Sequence, residues 1–134
     1  MRKLVFGLVV ATACSSFEPA FDGSLFLAQK EGSRDVMDAL FDGVVSLDAA
    51  GCYRLGLQDQ VTMIWPAGYR LIPTVEGPAV VNAQGVEIGR IGSTFRLGGG
   101  IVGTIPSGLL PSDALRRLAL QQCPGSFWIA APDL

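Results

Sequence analysis

From residue 43 onward the chain repeats one arrangement: a short apolar stretch, a cluster of Gly, Pro, Asn or Asp, then another apolar stretch. The spacing, about eight to twelve residues, fits short strands joined by turns. It predicts a mainly β domain, either a small partly open barrel or a sandwich, with an OB-like barrel among the arrangements allowed. The chain has 134 residues, enough for one hydrophobic core and too few for two.

The stretches can be read one by one. Val44-Val45-Ser46-Leu47 and Cys52-Tyr53-Arg54-Leu55 form a hairpin across Asp48-Ala49-Ala50-Gly51. Gln60-Val61-Thr62-Met63-Ile64-Trp65 is a third strand, stopped by Pro66, which has no N–H to donate to a ladder. Tyr69-Arg70-Leu71-Ile72 resumes after that break, and Ala79-Val80-Val81 turns through Asn82-Ala83-Gln84-Gly85 into residues 86–91. Thr94-Phe95-Arg96-Leu97 precedes Gly98-Gly99-Gly100, which reads as a flexible loop or a sharp strand crossing. One helix is expected, opened by Pro111 or Ser112, with Asp113 at its positive end and Leu115, Leu118 and Ala119 on its apolar side, ending before Pro124. Ser126-Phe127-Trp128-Ile129-Ala130 is the last strand. Ahead of the domain, residues 35–41 suit a short helix or a first edge strand equally.

The N-terminus has a different character. Met1-Arg2-Lys3 is followed by an apolar run over residues 4–11, far short of the roughly 20 residues that span a bilayer. Ala11-Thr12-Ala13-Cys14-Ser15-Ser16 comes next and resembles the lipobox of bacterial lipoprotein precursors, although Ala11 stands where that family usually carries Leu. The resemblance covers the first sixteen residues. It implies a signal peptide over residues 1–13, a diacylated Cys14 and a protein anchored to a membrane on the periplasmic or extracellular side. Residues 14–35, with turn formers and no sustained period, read as a tether, except Leu25-Phe26-Leu27-Ala28, which is expected to pack on the domain. The compact β-rich domain is placed at residues 36–134.

Cysteine usage fits export. If Cys14 carries lipid, Cys52 and Cys123 remain as an even pair, and in an oxidising compartment such a pair reads as one disulfide joining the first hairpin to the last strand. The body also resembles small secreted bacterial β-domain proteins of unknown function, through Gly51-Cys52-Tyr53-Arg54-Leu55, Ile64-Trp65-Pro66-Ala67-Gly68, Gly85 to Ile88, Leu97 to Gly100, and Cys123-Pro124 before Trp128. That resemblance implies a compact β domain and brings no activity with it.

Several chemistries are disfavoured by composition. There is no histidine, the side chain most used as a general base or metal ligand near neutral pH. Loss of residues 1–13 would leave 8 basic against 12 acidic residues, a net charge of −4, with no basic run to seek nucleic-acid phosphates. Gly98-x-Gly100-x-x-Gly103 satisfies the dinucleotide-binding string, but Thr104-Ile105-Pro106-Ser107-Gly108 is turn material rather than the start of a phosphate-binding helix. Asp35, Asp38, Asp42 and Asp48 do not follow the alternate-residue spacing of a calcium loop. Glu87 and Asp59 are the carboxylates a hydrolase would have to pair, and nothing in the sequence brings them together.

No cofactor, metal or catalytic residue is therefore expected. The leading expectation is a non-catalytic envelope module that binds a protein partner or small ligand through loops at Trp65, Tyr69 and Gly98, Gly99 and Gly100, and the alternative is a membrane-attached structural spacer. Loops after strands are where binding residues concentrate, but aromatic residues of so small a domain are more often core.

Overall fold

A computed structural model describes residues 23–32, 38–56 and 60–132 of the chain. The lipobox, Cys14, Asp35 and Asp59 lie outside the described residues. The elements in chain order are β1 (Leu27–Ala28), β2 (Ala39–Leu47), β3 (Tyr53–Leu55), β4 (Val61–Trp65), β5 (Arg70–Ile72), β6 (Ala79–Val81), β7 (Glu87–Arg90), β8 (Thr94–Val102), helix α1 (Asp113–Gln122) and β9 (Ser126–Ala130).

Five of these strands close a barrel. β2 pairs antiparallel with β3, β3 with β4, and β2 with β8. β9 runs antiparallel to β8 and parallel to β4, which completes the ring. Taken as first to fifth, the barrel strands meet in the order first, second, third, fifth, fourth and back to first. This is the OB-like arrangement the sequence allowed, but closed rather than partly open. The connection from β4 to β8 carries a separate antiparallel sheet, β5-β6-β7, and α1 lies between β8 and β9.

Strand alternation separates two cores. Tyr53, Leu55, Val61, Met63, Trp65, Phe95, Leu97, Trp128 and Ala130 point into the barrel with Val45, and Tyr69 and Val80 join them from the small sheet. The alternate residues Cys52, Ile64, Phe127 and Ile129 form an outer layer with Leu27, roofed by Ile105, Leu109, Leu110 and the buried face of α1. Because a strand turns successive side chains to opposite faces, β4 and β9 feed both cores at once, so they are buried on both sides. The small sheet seats against the barrel at Gly89, where an added Cβ would stand 2.5 Å from the Phe95 ring.

Helix α1 begins as its sequence predicts. The Ser112 side chain accepts a hydrogen bond from the Leu115 N–H at 3.1 Å, satisfying one of the donors a helix start leaves open. Its buried residue is Ala119, whereas Leu118, expected on the apolar side, is exposed.

Three further stretches take definite form. The ambiguous stretch before residue 43 resolves at Ala39, Leu40 and Phe41 into the start of strand β2. Gly98-Gly99-Gly100, read as a flexible loop or a sharp strand crossing, lies inside β8. There β8 changes partner: residues 94–99 pair with β2 and residues 99–102 with β9, so Gly99 pairs on both edges. Gly99 has a φ of 142° and comes so close to β9 that an added Cβ would stand 2.1 Å from the Ile129 carbonyl oxygen. Only glycine meets both demands. Finally, Leu25-Phe26-Leu27-Ala28, the part of the tether expected to pack on the domain, does so, and Gln29 follows it into the fold. Leu27 and Ala28 pair parallel with Ile64 and Trp65, and Leu27 is wholly buried.

Candidate functional site

The residues expected to form binding loops do not gather at the surface. Trp65 is fully enclosed and Tyr69 nearly so, both in the barrel core. Phe26 stacks on Trp65 with ring centroids 5.5 Å apart and planes 13° from parallel, and Phe95 meets it edgewise at 5.4 Å. The Trp65 Nε1–H is buried with no hydrogen-bond partner among the described residues. Gly99 and Gly100 are buried in β8, and the Gly98 carbonyl accepts from Trp128 Nε1 at 3.2 Å.

The most connected polar group is one the sequence reading passed over. Arg54 faces the outer layer of β3 with its side chain 11% exposed. Its Nε donates to Asp48 Oδ2 at 2.8 Å, and Nη1 donates to Thr62 Oγ1 at 2.7 Å and to the Pro124 carbonyl at 3.1 Å. Asp48 Oδ1 accepts from the Ala50 and Cys52 backbone N–H groups, both at 2.9 Å, which shapes the hairpin turn. Burial alone would push the Asp48 carboxyl up, but the Arg54 hydrogen bond, the two backbone N–H groups and the Arg54 charge outweigh it and hold its pKa below the ordinary carboxylate value. Burial raises the Tyr53 hydroxyl, partly offset by its hydrogen bond to Ser24 Oγ.

This network surrounds the disulfide between Cys52 and Cys123, which pins the β2–β3 hairpin to the end of α1. Both cysteines are fully buried. Gln122 adds to the same junction, donating from Nε2 to the Gly23 and Ala50 carbonyls at 3.1 and 2.9 Å. The cluster is therefore a structural joint: its donors and acceptors are used on each other and its sulfurs are out of reach of solvent.

A concave surface lies at the head of α1, a half-open groove of about 370 Å³ whose lining includes Lys30, Leu110, Ser112, Asp113 and Arg116. Two elements position its cations. The Lys30 backbone N–H donates to the Leu109 carbonyl at 2.7 Å, and Arg116 Nε donates to the Ile105 carbonyl at 2.7 Å. Asp113, on the same rim, pairs with Arg117 one turn along the helix. The groove can receive a polar group, and it has no nucleophile and base in hydrogen-bond contact.

Of the two carboxylates weighed for chemistry, only Glu87 falls among the described residues. Glu87 is exposed and lies 3.9 Å from Arg90, whose nearer partner is Glu76 at 2.6 Å. No cluster of three or more His, Cys, Asp or Glu suited to a metal ion occurs among the described residues. Among them, too, no helix is long and apolar enough to cross a membrane. No protein-family model, curated protein or solved structure matches the chain.

Proposed function

We propose that this chain is a small exported envelope protein, held at a membrane by lipid on Cys14, whose barrel is a non-catalytic binding module. The observation that carries the reading is the Cys52–Cys123 disulfide, because a bond of this kind belongs to an oxidising compartment and its formation leaves Cys14 as the unpaired cysteine. That is the cysteine preceded by a short apolar run and small residues, where acylation would dock the domain to a membrane face. For binding, the supporting feature is the groove at the head of α1, where Lys30 and Arg116 flank a concave surface suited to a polar group of a protein partner or small ligand.

Fractionation of cells carrying the wild type and Cys14→Ser, with crosslinking in intact cells, tests the reading. Wild type is expected in the membrane fraction and Cys14→Ser in the soluble exported fraction, and Lys30→Glu with Arg116→Glu is expected to remove a crosslinked partner. Burial of Trp65 and Tyr69 favours a second reading, a membrane-attached spacer with no ligand of its own. It predicts membrane attachment and a crosslinking pattern unchanged by the groove substitutions.

A further inference from the structure

The barrel's ring of five strands is thinnest at one join. β3 and β4 are joined by a single residue pair, Arg54 with Thr62. Beyond it the same edge of β4 is taken by β1, since Ile64 pairs with Ile129 of β9 on one side and therefore with Leu27 on the other. Residues 23–32 thus fill a seam that β3 leaves open.

Their attachments are many but short. The Leu25 N–H donates to the Gly51 carbonyl at 2.8 Å, the Gln29 N–H to the Trp65 carbonyl at 2.9 Å and the Lys30 N–H to the Leu109 carbonyl at 2.7 Å. Gln29 Nε2 reaches the Ala130 carbonyl at 2.8 Å. Phe26 covers a face of Trp65 and meets Tyr53 edge-on at 5.9 Å. By contrast the β2–β8 and β8–β9 ladders run through six and four consecutive residue pairs.

From the geometry we infer that residues 23–32 are a releasable strap, which opens as a unit while the remaining ladders stay intact and so uncovers Trp65 and the free edge of β4. Two independent observations carry this. Backbone pairing of the seam is confined to a two-residue strand, an isolated bridge at Leu25 and single amide hydrogen bonds beside them, and local openings are drawn from such low-stability segments. Beneath Phe26 lies Trp65, whose buried Nε1–H has no hydrogen-bond partner among the described residues, a donor that destabilises the closed form and regains a partner when water enters. Opening presents a strand edge and an aromatic face together, the surface that Leu25, Phe26, Leu27 and Ala28 occupy when the strap is shut.

Native-state hydrogen exchange on the full chain, followed residue by residue, tests the inference. The Leu25, Gln29 and Lys30 amides and the Trp65 indole N–H should share one opening constant, at least about tenfold larger than that of the β8–β9 ladder and insensitive to low denaturant. Phe26→Ala should raise that constant further and leave the ladder amides unchanged. Strap and ladder amides exchanging together in the wild type would overturn the proposal, as would Phe26→Ala accelerating both in parallel.

Discussion

Arg54 on β3 reaches back six residues to Asp48 in the turn that precedes it, and its guanidinium also holds Thr62 on β4 and the Pro124 carbonyl after α1. One buried cation thus ties a turn, two strands and the chain entering β9. Replacing Arg54 with Met leaves three acceptors unsupplied in a mostly buried setting, and breaking such a network costs about 3 kcal/mol. Chemical denaturation of Arg54→Met, Asp48→Asn and the double variant should show strong coupling between the two sites. Additive losses would mean the contacts act independently.

The same pair sets an acid limb. The folded-state pKa of Asp48 lies below its unfolded value, so its contribution to stability is fully present above about pH 4, the ordinary carboxylate value, and is lost as pH falls through the lower folded value. Thermal melting followed from neutral pH downward should show a decline below about pH 4 that is shallower in Asp48→Asn.

Gly99 is the tightest backbone contact where β8 passes from β2 to β9. Gly99→Ala adds a methyl group against the Ile129 carbonyl and forces a side chain into a positive φ, for a loss of roughly 3 kcal/mol or more. Gly103, where an added Cβ meets nothing within 4 Å, is the control, and Gly103→Ala should change stability by less than about 1 kcal/mol.

Trp65 should respond unevenly to truncation. Trp65→Phe removes an unpaired buried donor while keeping an aromatic ring against Phe26 and Phe95, so the gain and the small cavity nearly cancel, within about 1 kcal/mol. Trp65→Ala empties the site and should cost about 3–5 kcal/mol. Equilibrium unfolding of both variants checks the contrast.

Legibility in the sequence followed the range of each interaction. The Asp48 to Gly51 turn, the Asn82 to Gly85 turn and the Ser112 cap are decided by neighbours within a few residues, and each stands where it was expected. Barrel closure was not readable, because it rests on parallel pairing of Val61–Ile64 with Ser126–Ile129, far apart in the chain. That residues 25–28 pack on the domain was legible, but their pairing as β1 was not, a two-residue strand having no period of its own. Glycine-rich composition left residues 98–100 open between a flexible loop and a sharp strand crossing, and close approach of β9 at Gly99 is what demands glycine there. Burial of Trp65 and Tyr69 follows the core packing favoured for aromatic residues of so small a domain, and the surface role weighed beside it rested on the loop at Pro66 to Gly68.

The disulfide encloses a separation of 71 positions, and its removal by Cys52→Ala with Cys123→Ala should lower stability by about 4 kcal/mol on chain-entropy grounds. Its presence in the cell, together with the state of Cys14, is the most direct test of the account. Intact mass of the protein taken from its native membrane, before and after reduction and alkylation, reads both at once. The account predicts a chain lacking residues 1–13, carrying added acyl mass, with two thiols that react only after reduction. A full-length chain with three thiols reactive from the start would contradict it.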